Sequence, residues 1–229
     1  MSVSTRPESG RTSGGRPAWS VAELLHHLGD VPADRVRLVP TPGLASERDL
    51  IAANEAGDGL FELVDGVLVE KAMGFEESRW AYVLGLYIGI FLQSHDLGAV
   101  VGADGMVKLA SGLVRLPDLS FISWARYPRG RRRRGTAPAV VPDLAVEILS
   151  RSNTKREMER KLGEYFAAGV RLAWVVDPRR REVRVFTSPT DPVVLTAADV
   201  LDGGDVLPGF RLPLAEWFEQ AERDGPAGR

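Results

Sequence analysis

The chain has 229 residues with 29 Lys plus Arg against 31 Asp plus Glu, a formal net charge of -2, long enough to bury a sizeable α/β core. It contains no cysteine and only three histidines, which excludes disulfides, thiolate zinc sites and an imidazole cage, so any bound metal must be held by oxygen. The slight negative charge also excludes a surface that attracts polyanions everywhere.

Residues 1–18 are rich in Ser, Gly, Arg and Pro and lack an apolar stretch. They read as a disordered tail and not as a signal peptide. One domain is expected over 19–220, with a flexible C-terminus at 221–229. The longest uncharged apolar segment, Trp80 to Leu92, spans only 13 residues, too short for a membrane span, and a cytoplasmic protein is expected.

Ser20, with Glu23 three residues later and Val21, Leu24, Leu25 and Leu28 following, predicts a short helix opened by a capping box. A polar stretch comes next. Phe61 to Ala72 then predicts two strands around Asp65-Gly66, a dipeptide suited to a tight hairpin. From Glu76 to Ser94, the residues Trp80, Val83, Leu84, Tyr87, Ile88, Phe91 and Leu92 repeat with the helical period. Three strands are expected after it: Ala99 to Leu109, Leu113 to Ser123 and Leu144 to Leu149. Between the second and third, Arg126, Arg129 and Arg131 to Arg134 put six arginines in nine positions, which suits either a solvated loop or phosphate contact.

Thr154 to Ala168 returns to helical spacing and stops at Gly169. Leu172 to Val176 is a further strand, so the core order is helix, three strands, helix, strand. Glu182 to Phe186 and Val193 to Leu195 read as a strand pair, and Leu214 to Gln220 as a closing helix.

Two acids stand out because each interrupts an apolar strand: Asp118 in RLPDLSFIS and Glu147 in PDLAVEILS. Burying a carboxylate there costs several kcal/mol, on the order of ~3 or more, unless a cation or hydrogen bonds compensate. Solvent exposure at a sheet edge, or pairing with an arginine such as Arg115, would also explain them. By strand parity Asp118 shares a face with Leu116 and Ser120, and Glu147 with Asp143, Ala145 and Leu149. Asp143 follows Pro142 at the strand start and reads as serving a turn. A lysine to orient water is missing two residues after Glu147, where Leu149 stands. The following helix offers Lys161 on the flank of its buried stripe, where a lysine could equally snorkel to solvent.

The stretches FELVDGVLVE, RLPDLSFIS, PDLAVEILSRSNT, KLGEYFAAGVRLAWVVDP and LDGGDVLPGFRLPLAEWF, in this order, resemble the bacterial Uma-type family of restriction endonucleases, a branch of the PD-(D/E)XK nuclease superfamily. The resemblance covers roughly residues 55 to 220. It implies a restriction-endonuclease-like αβββαβ core with a mixed central sheet, an N-terminal β-hairpin and a C-terminal β/α extension. It further implies DNA cleavage with Mg²⁺ or Mn²⁺ held by Asp118 and Glu147, Lys161 as the lysine moved from strand to helix, and Glu62 as an additional acid of the site. Arg131, Arg132, Arg133 and Arg134 are the expected nucleic-acid contacts, and a homodimer is the expected assembly. The alternative is a non-catalytic module that keeps this fold and binds nucleic acid or protein.

Overall fold

The computed structural model describes residues 19–127 and 140–223. The N-terminal tail, Arg129, the run Arg131 to Arg134 and residues 224–229 lie outside the described residues. In chain order the elements are α1 (Val21–His27), β1 (Val36–Arg37), α2 (Glu47–Ala56), β2 (Phe61–Val64), β3 (Val67–Glu70), α3 (Phe75–Ser94), β4 (Gly98–Gly102), β5 (Val107–Ala110), β6 (Leu113–Arg115), β7 (Leu119–Ser123) and β8 (Leu144–Ile148). They continue with α4 (Lys155–Ala168), β9 (Leu172–Asp177), β10 (Glu182–Phe186), β11 (Val193–Leu195), β12 (Val200–Asp202), β13 (Arg211–Pro213) and α5 (Leu214–Glu222).

The expected capping box is present, with Ser20 Oγ accepting the Glu23 N–H and Glu23 accepting the Ser20 N–H. Asp65 and Gly66 both have positive φ, 49° and 77°. This matches the twist of the β2–β3 hairpin, and Asp-Gly is the pair that tolerates it. α4 is opened by Thr154, whose hydroxyl accepts the Glu157 N–H at 3.0 Å, and is closed by Gly169 in the left-handed region. Its Glu157 does a second task, taking a two-pronged ion pair from the buried Arg35 at 2.8 and 3.0 Å.

A mixed six-stranded sheet runs β11-β10-β9-β8-β7-β4, antiparallel except where α4 carries the chain from β8 to the parallel β9. The core order α3, β4, β7, β8, α4, β9 is the restriction-endonuclease-like arrangement. Two sequence expectations need correction. Ala99 to Leu109 and Leu113 to Ser123 are not single strands: the turn at Gly102–Gly105 separates β4 from β5, and Leu116-Pro117 separates β6 from β7. Proline cannot donate to a ladder, and here the chain leaves one sheet for another. The inner pieces β5 and β6 join β1, β3 and β2 in a five-stranded antiparallel sheet of order β1-β3-β2-β6-β5. The N-terminal hairpin is thus part of a second sheet. α2 falls in the stretch read as merely polar, and α5 runs on to Glu222 with Ala221 fully buried, past the expected boundary at 220.

The two faces of the six-stranded sheet differ. Leu144, Val146, Ile148, Trp174 and Val176 point into an apolar core closed by α3 and α5, with Trp80, Trp217 and Phe218 in mutual ring contact. Alternate residues point to the other face, where α4 covers Ala145, Ala173 and Val175 with Tyr165, Met158 and Leu162. Leu109 of β5 packs against Tyr165 and Ala145, so α4 lies where the two sheets meet. The functional candidates are on this side.

Candidate active site

β7 pairs with β8 antiparallel, Leu119 opposite Val146. Asp118 directly precedes β7, and strand parity puts it on the face of Ser120 and Ala145, which Glu147 shares. The Asp118 N–H donates to the Val146 carbonyl at 2.9 Å and its carboxylate Oδ2 accepts the Ile148 N–H at 2.6 Å. Both its ends are therefore tied to the β8 backbone. Asp118 is 2% exposed and Glu147 5%, so the two acids are brought together inside the protein, not at a solvated edge.

Two residues of α4, four apart and hence on one face, reach Glu147 from above. Lys161 Nζ donates to Glu147 Oε2 at 3.2 Å and the Tyr165 hydroxyl donates to Oε1. The same ammonium stands 3.2 Å from Oε1 of Glu62, which arrives from β2 of the other sheet. Glu62 also accepts the Leu116 N–H at 3.1 Å and pairs with Arg115 at 2.8 Å. The expectation that Lys161 lies on the flank of a buried stripe understates its position, since it is 2% exposed.

Arg115 does not serve Asp118. It joins Glu62 to Glu164, whose carboxylate takes Arg115 at 2.6 Å on one oxygen and Arg160 at 2.7 Å on the other. Arg160 continues to Asp65, and Asp65 to His27 at 2.9 Å. A chain of ion pairs thus runs from the hairpin turn into the buried acids. Asp143 stays apart: it accepts the Ser123 N–H at 2.9 Å and pairs with Arg126 and Arg171, anchoring the strand start.

Titration behaviour follows from these contacts. Burial pushes the Glu62 carboxyl up, but Lys161 and Arg115 outweigh it and hold the group down at about 2. Glu147 goes the other way: burial raises its pKa, Lys161 opposes this, and the neighbouring Asp118 and Glu62 raise it further. Burial alone would discharge Lys161, yet Glu147 and Glu62 lift its pKa above the usual lysine value. Lys161 is therefore a fixed positive charge and hydrogen-bond donor, not a base. The Tyr165 hydroxyl is raised well above its ordinary value by burial and by Glu147, and stays protonated.

The family model described as "Putative restriction endonuclease", Uma2, matches residues 48–215. The chain belongs to the Uma2 family. It is also similar to a solved structure from Anabaena variabilis ATCC 29413, described as a "putative nuclease belonging to DUF820", at 17% identity and a TM-score of 0.62, over 72% of this chain and 92% of that one. At that identity the likeness concerns the fold. A comparison with curated proteins returned no match.

In this Uma2-family chain the four acids and bases singled out from sequence, Glu62, Asp118, Glu147 and Lys161, converge. Sequence reasoning missed Lys71. Its Nζ lies 2.8 Å from Asp118 Oδ1 and donates to the Ala103 carbonyl at 3.1 Å, and its side chain is 2% exposed. A parity signal was available, because Lys71 continues the alternation of the buried Val67 and Val69. The two contacts of Asp118 differ in kind. The distance to Lys71 is that of an ion pair, but no donor meets Oδ1 at a hydrogen-bonding angle, so this buried oxygen has an ionic partner and accepts no hydrogen bond among the described residues. Each member of the pair lines an opening. Asp118 lines a cleft of about 490 Å³ between α3 and β4, with Ala81, Gly85, Val100 and Ala103. Lys71 lines a groove of about 620 Å³ with Met73, Phe75, Ser150 and Arg151. Among the described residues no three His, Asp or Glu side chains form a ready metal cage, and no helix is long and apolar enough to cross a membrane.

Proposed function

We propose that this chain is a divalent-metal-dependent endonuclease that hydrolyses DNA phosphodiester bonds at Asp118 and Glu147. The observation that carries the reading is Oδ1 of Asp118, buried beside Glu147 on the same sheet face and met by the Lys71 ammonium without accepting a hydrogen bond among the described residues. The donor set suits Mg²⁺ or Mn²⁺: both are hard cations, and Mg²⁺ commonly takes only one or two carboxylates, filling its other positions with water and substrate phosphate. When bound, such an ion supplies polarisation of the phosphoryl oxygen and a more acidic water.

The protein groups divide the remaining work. Asp118 is held rigid by the Ile148 N–H, which presents Oδ1 in one direction. Glu147 is oriented by Tyr165 and Lys161. In this reading Lys161, kept protonated, holds the attacking water and offsets charge that develops on the phosphate. Glu62 anchors that lysine from the second sheet. In this reading Arg131, Arg132, Arg133 and Arg134 contact the DNA backbone, and a homodimer brings one site to each strand. Tyr82, Leu86 and Ile90, four residues apart and exposed on α3, are an apolar ridge of the kind that marks association surfaces.

The test is nicking of a supercoiled plasmid with Mg²⁺ or Mn²⁺. Asp118→Ala and Glu147→Ala are each expected to lower the rate by a factor on the order of ~10² to 10³, as for loss of one preorganised electrostatic group. Nicking at the wild-type rate by both variants overturns the site. The second reading, a module that binds without cutting, draws on the closed state of the cluster, in which every acid oxygen accepts a hydrogen bond or pairs with Lys or Arg. It predicts retarded DNA in a gel with no nicking by the wild type.

A further inference from the structure

The charges around the three acids already balance. Glu62, Asp118 and Glu147 are met by Lys71, Lys161 and Arg115, while Glu164 and Arg160 offset each other. A divalent ion added to this buried cluster would leave it with two uncompensated positive charges, a costly state in a low-dielectric interior. One of the resident cations must give way. If one lysine withdraws, the cluster carries a single excess positive charge, which the negative charge of one phosphodiester cancels.

The two lysines are not held alike. Lys161 is wedged between two carboxylates at 3.2 Å each. Lys71 has one carboxylate and one carbonyl, that of Ala103 in the turn between β4 and β5, and its ion pair with Asp118 lacks hydrogen-bonding alignment. It also has somewhere to go. Lys71 lines a groove with Met73, Ser150 and Arg151, and its four-carbon stem is flexible.

We propose that Lys71 is a built-in counterion that occupies the cation position on Asp118 Oδ1, so that a divalent metal binds by displacing its ammonium group into the neighbouring groove. The inference rests on the reading of Asp118 as a metal ligand. Its consequence is that metal and nucleic-acid binding reinforce each other, because the phosphate completes the charge balance that the departing lysine leaves open.

Mn²⁺ binding by calorimetry separates the two ideas. Lys71→Met is expected to bind Mn²⁺ at least ~10-fold more tightly than wild type, having lost a charge-assisted competitor, and Asp118→Asn is expected to lose binding. Because Lys71→Met leaves Asp118 without its partner and could fold poorly, a second measurement uses the wild type. Acetylation of Lys71, followed by mass spectrometry, is expected to accelerate on adding Mn²⁺ while Lys161 stays protected. If Asp118→Asn binds Mn²⁺ like wild type, the metal reading of Asp118 fails and the counterion with it. If Asp118→Asn loses binding but Lys71→Met binds no more tightly, or Lys71 stays protected with Mn²⁺ present, displacement alone is overturned.

Discussion

The two faces of one strand, β8, follow opposite rules. Leu144, Val146 and Ile148 enter a core of Trp174, Trp80 and Phe218 in which nearly every side chain is apolar. Glu147, between two of them in sequence, enters a layer where carboxylates, lysines, an arginine and a tyrosine are buried together. The apolar face gains about 25 cal/mol for each Å² removed from water. The ionic face gains little, since the desolvation of its charges offsets most of their attraction. Buried ionisable groups with shifted pKa values, such as Glu147 with its raised one, cluster at functional sites in proteins generally.

Substitutions on each face should expose the difference, beginning with the largest effect. Trp174→Ala, at 0% exposure, is expected to cost about 3–5 kcal/mol in denaturant unfolding, and no second truncation nearby should recover it. Lys161→Met is expected to cost a similar ~3–5 kcal/mol, by leaving Glu147 and Glu62 facing each other. Adding Glu147→Leu should restore most of that stability. A double variant as unstable as the single one would show that the ionic layer is packed and costed like the apolar core.

A smaller contrast lies within the ionic layer, and pH reads it. Glu62 has its folded pKa lowered to about 2 from 4.5, so its contribution is present above pH 4.5 and is lost as pH falls toward 2. Glu62→Gln is therefore expected to flatten the acid limb of the stability profile over that window, an effect on the order of a few kcal/mol at most. An unchanged acid limb would remove Glu62 from the account.

Glu147 has the opposite sign. Its folded pKa is raised, so the fold favours the neutral form; the favourable contribution is present at low pH and is lost as pH rises through the raised value. Glu147→Gln keeps the neutral form at every pH. It is expected to flatten the stability profile over the pH range in which Glu147 ionises, while abolishing plasmid nicking. A profile that still falls through that range would remove Glu147 from the account.

Much of this arrangement was legible from residues alone. The capping box at Ser20, the Asp65-Gly66 hairpin and the period of α3 depend on interactions within a few residues, and the structure shows all three. Asp118 and Glu147 were legible because an acid inside an apolar strand is costly wherever the strand goes. Lys71 escaped notice because a lysine closing a hairpin is ordinarily solvated, and nothing local says that Asp118 will meet it from 47 positions away in sequence. The division of two apparent strands between two sheets was hidden for a similar reason: apolar alternation is the same on either side of Pro117.

The sequence by itself determined α1, α3, α4, the β2–β3 hairpin and which acids are out of place, since periodicity, capping and desolvation act on each segment separately. Only the tertiary structure decided the company those acids keep. The pairing of β7 with β8 puts Asp118 and Glu147 on one sheet face, α4 lowers Lys161 and Tyr165 onto Glu147, and the second sheet brings Glu62, Lys71 and Arg115 from other parts of the chain. Charges interact strongly through the few ångströms that packing sets in a poorly screened interior, and those distances are written in no single segment.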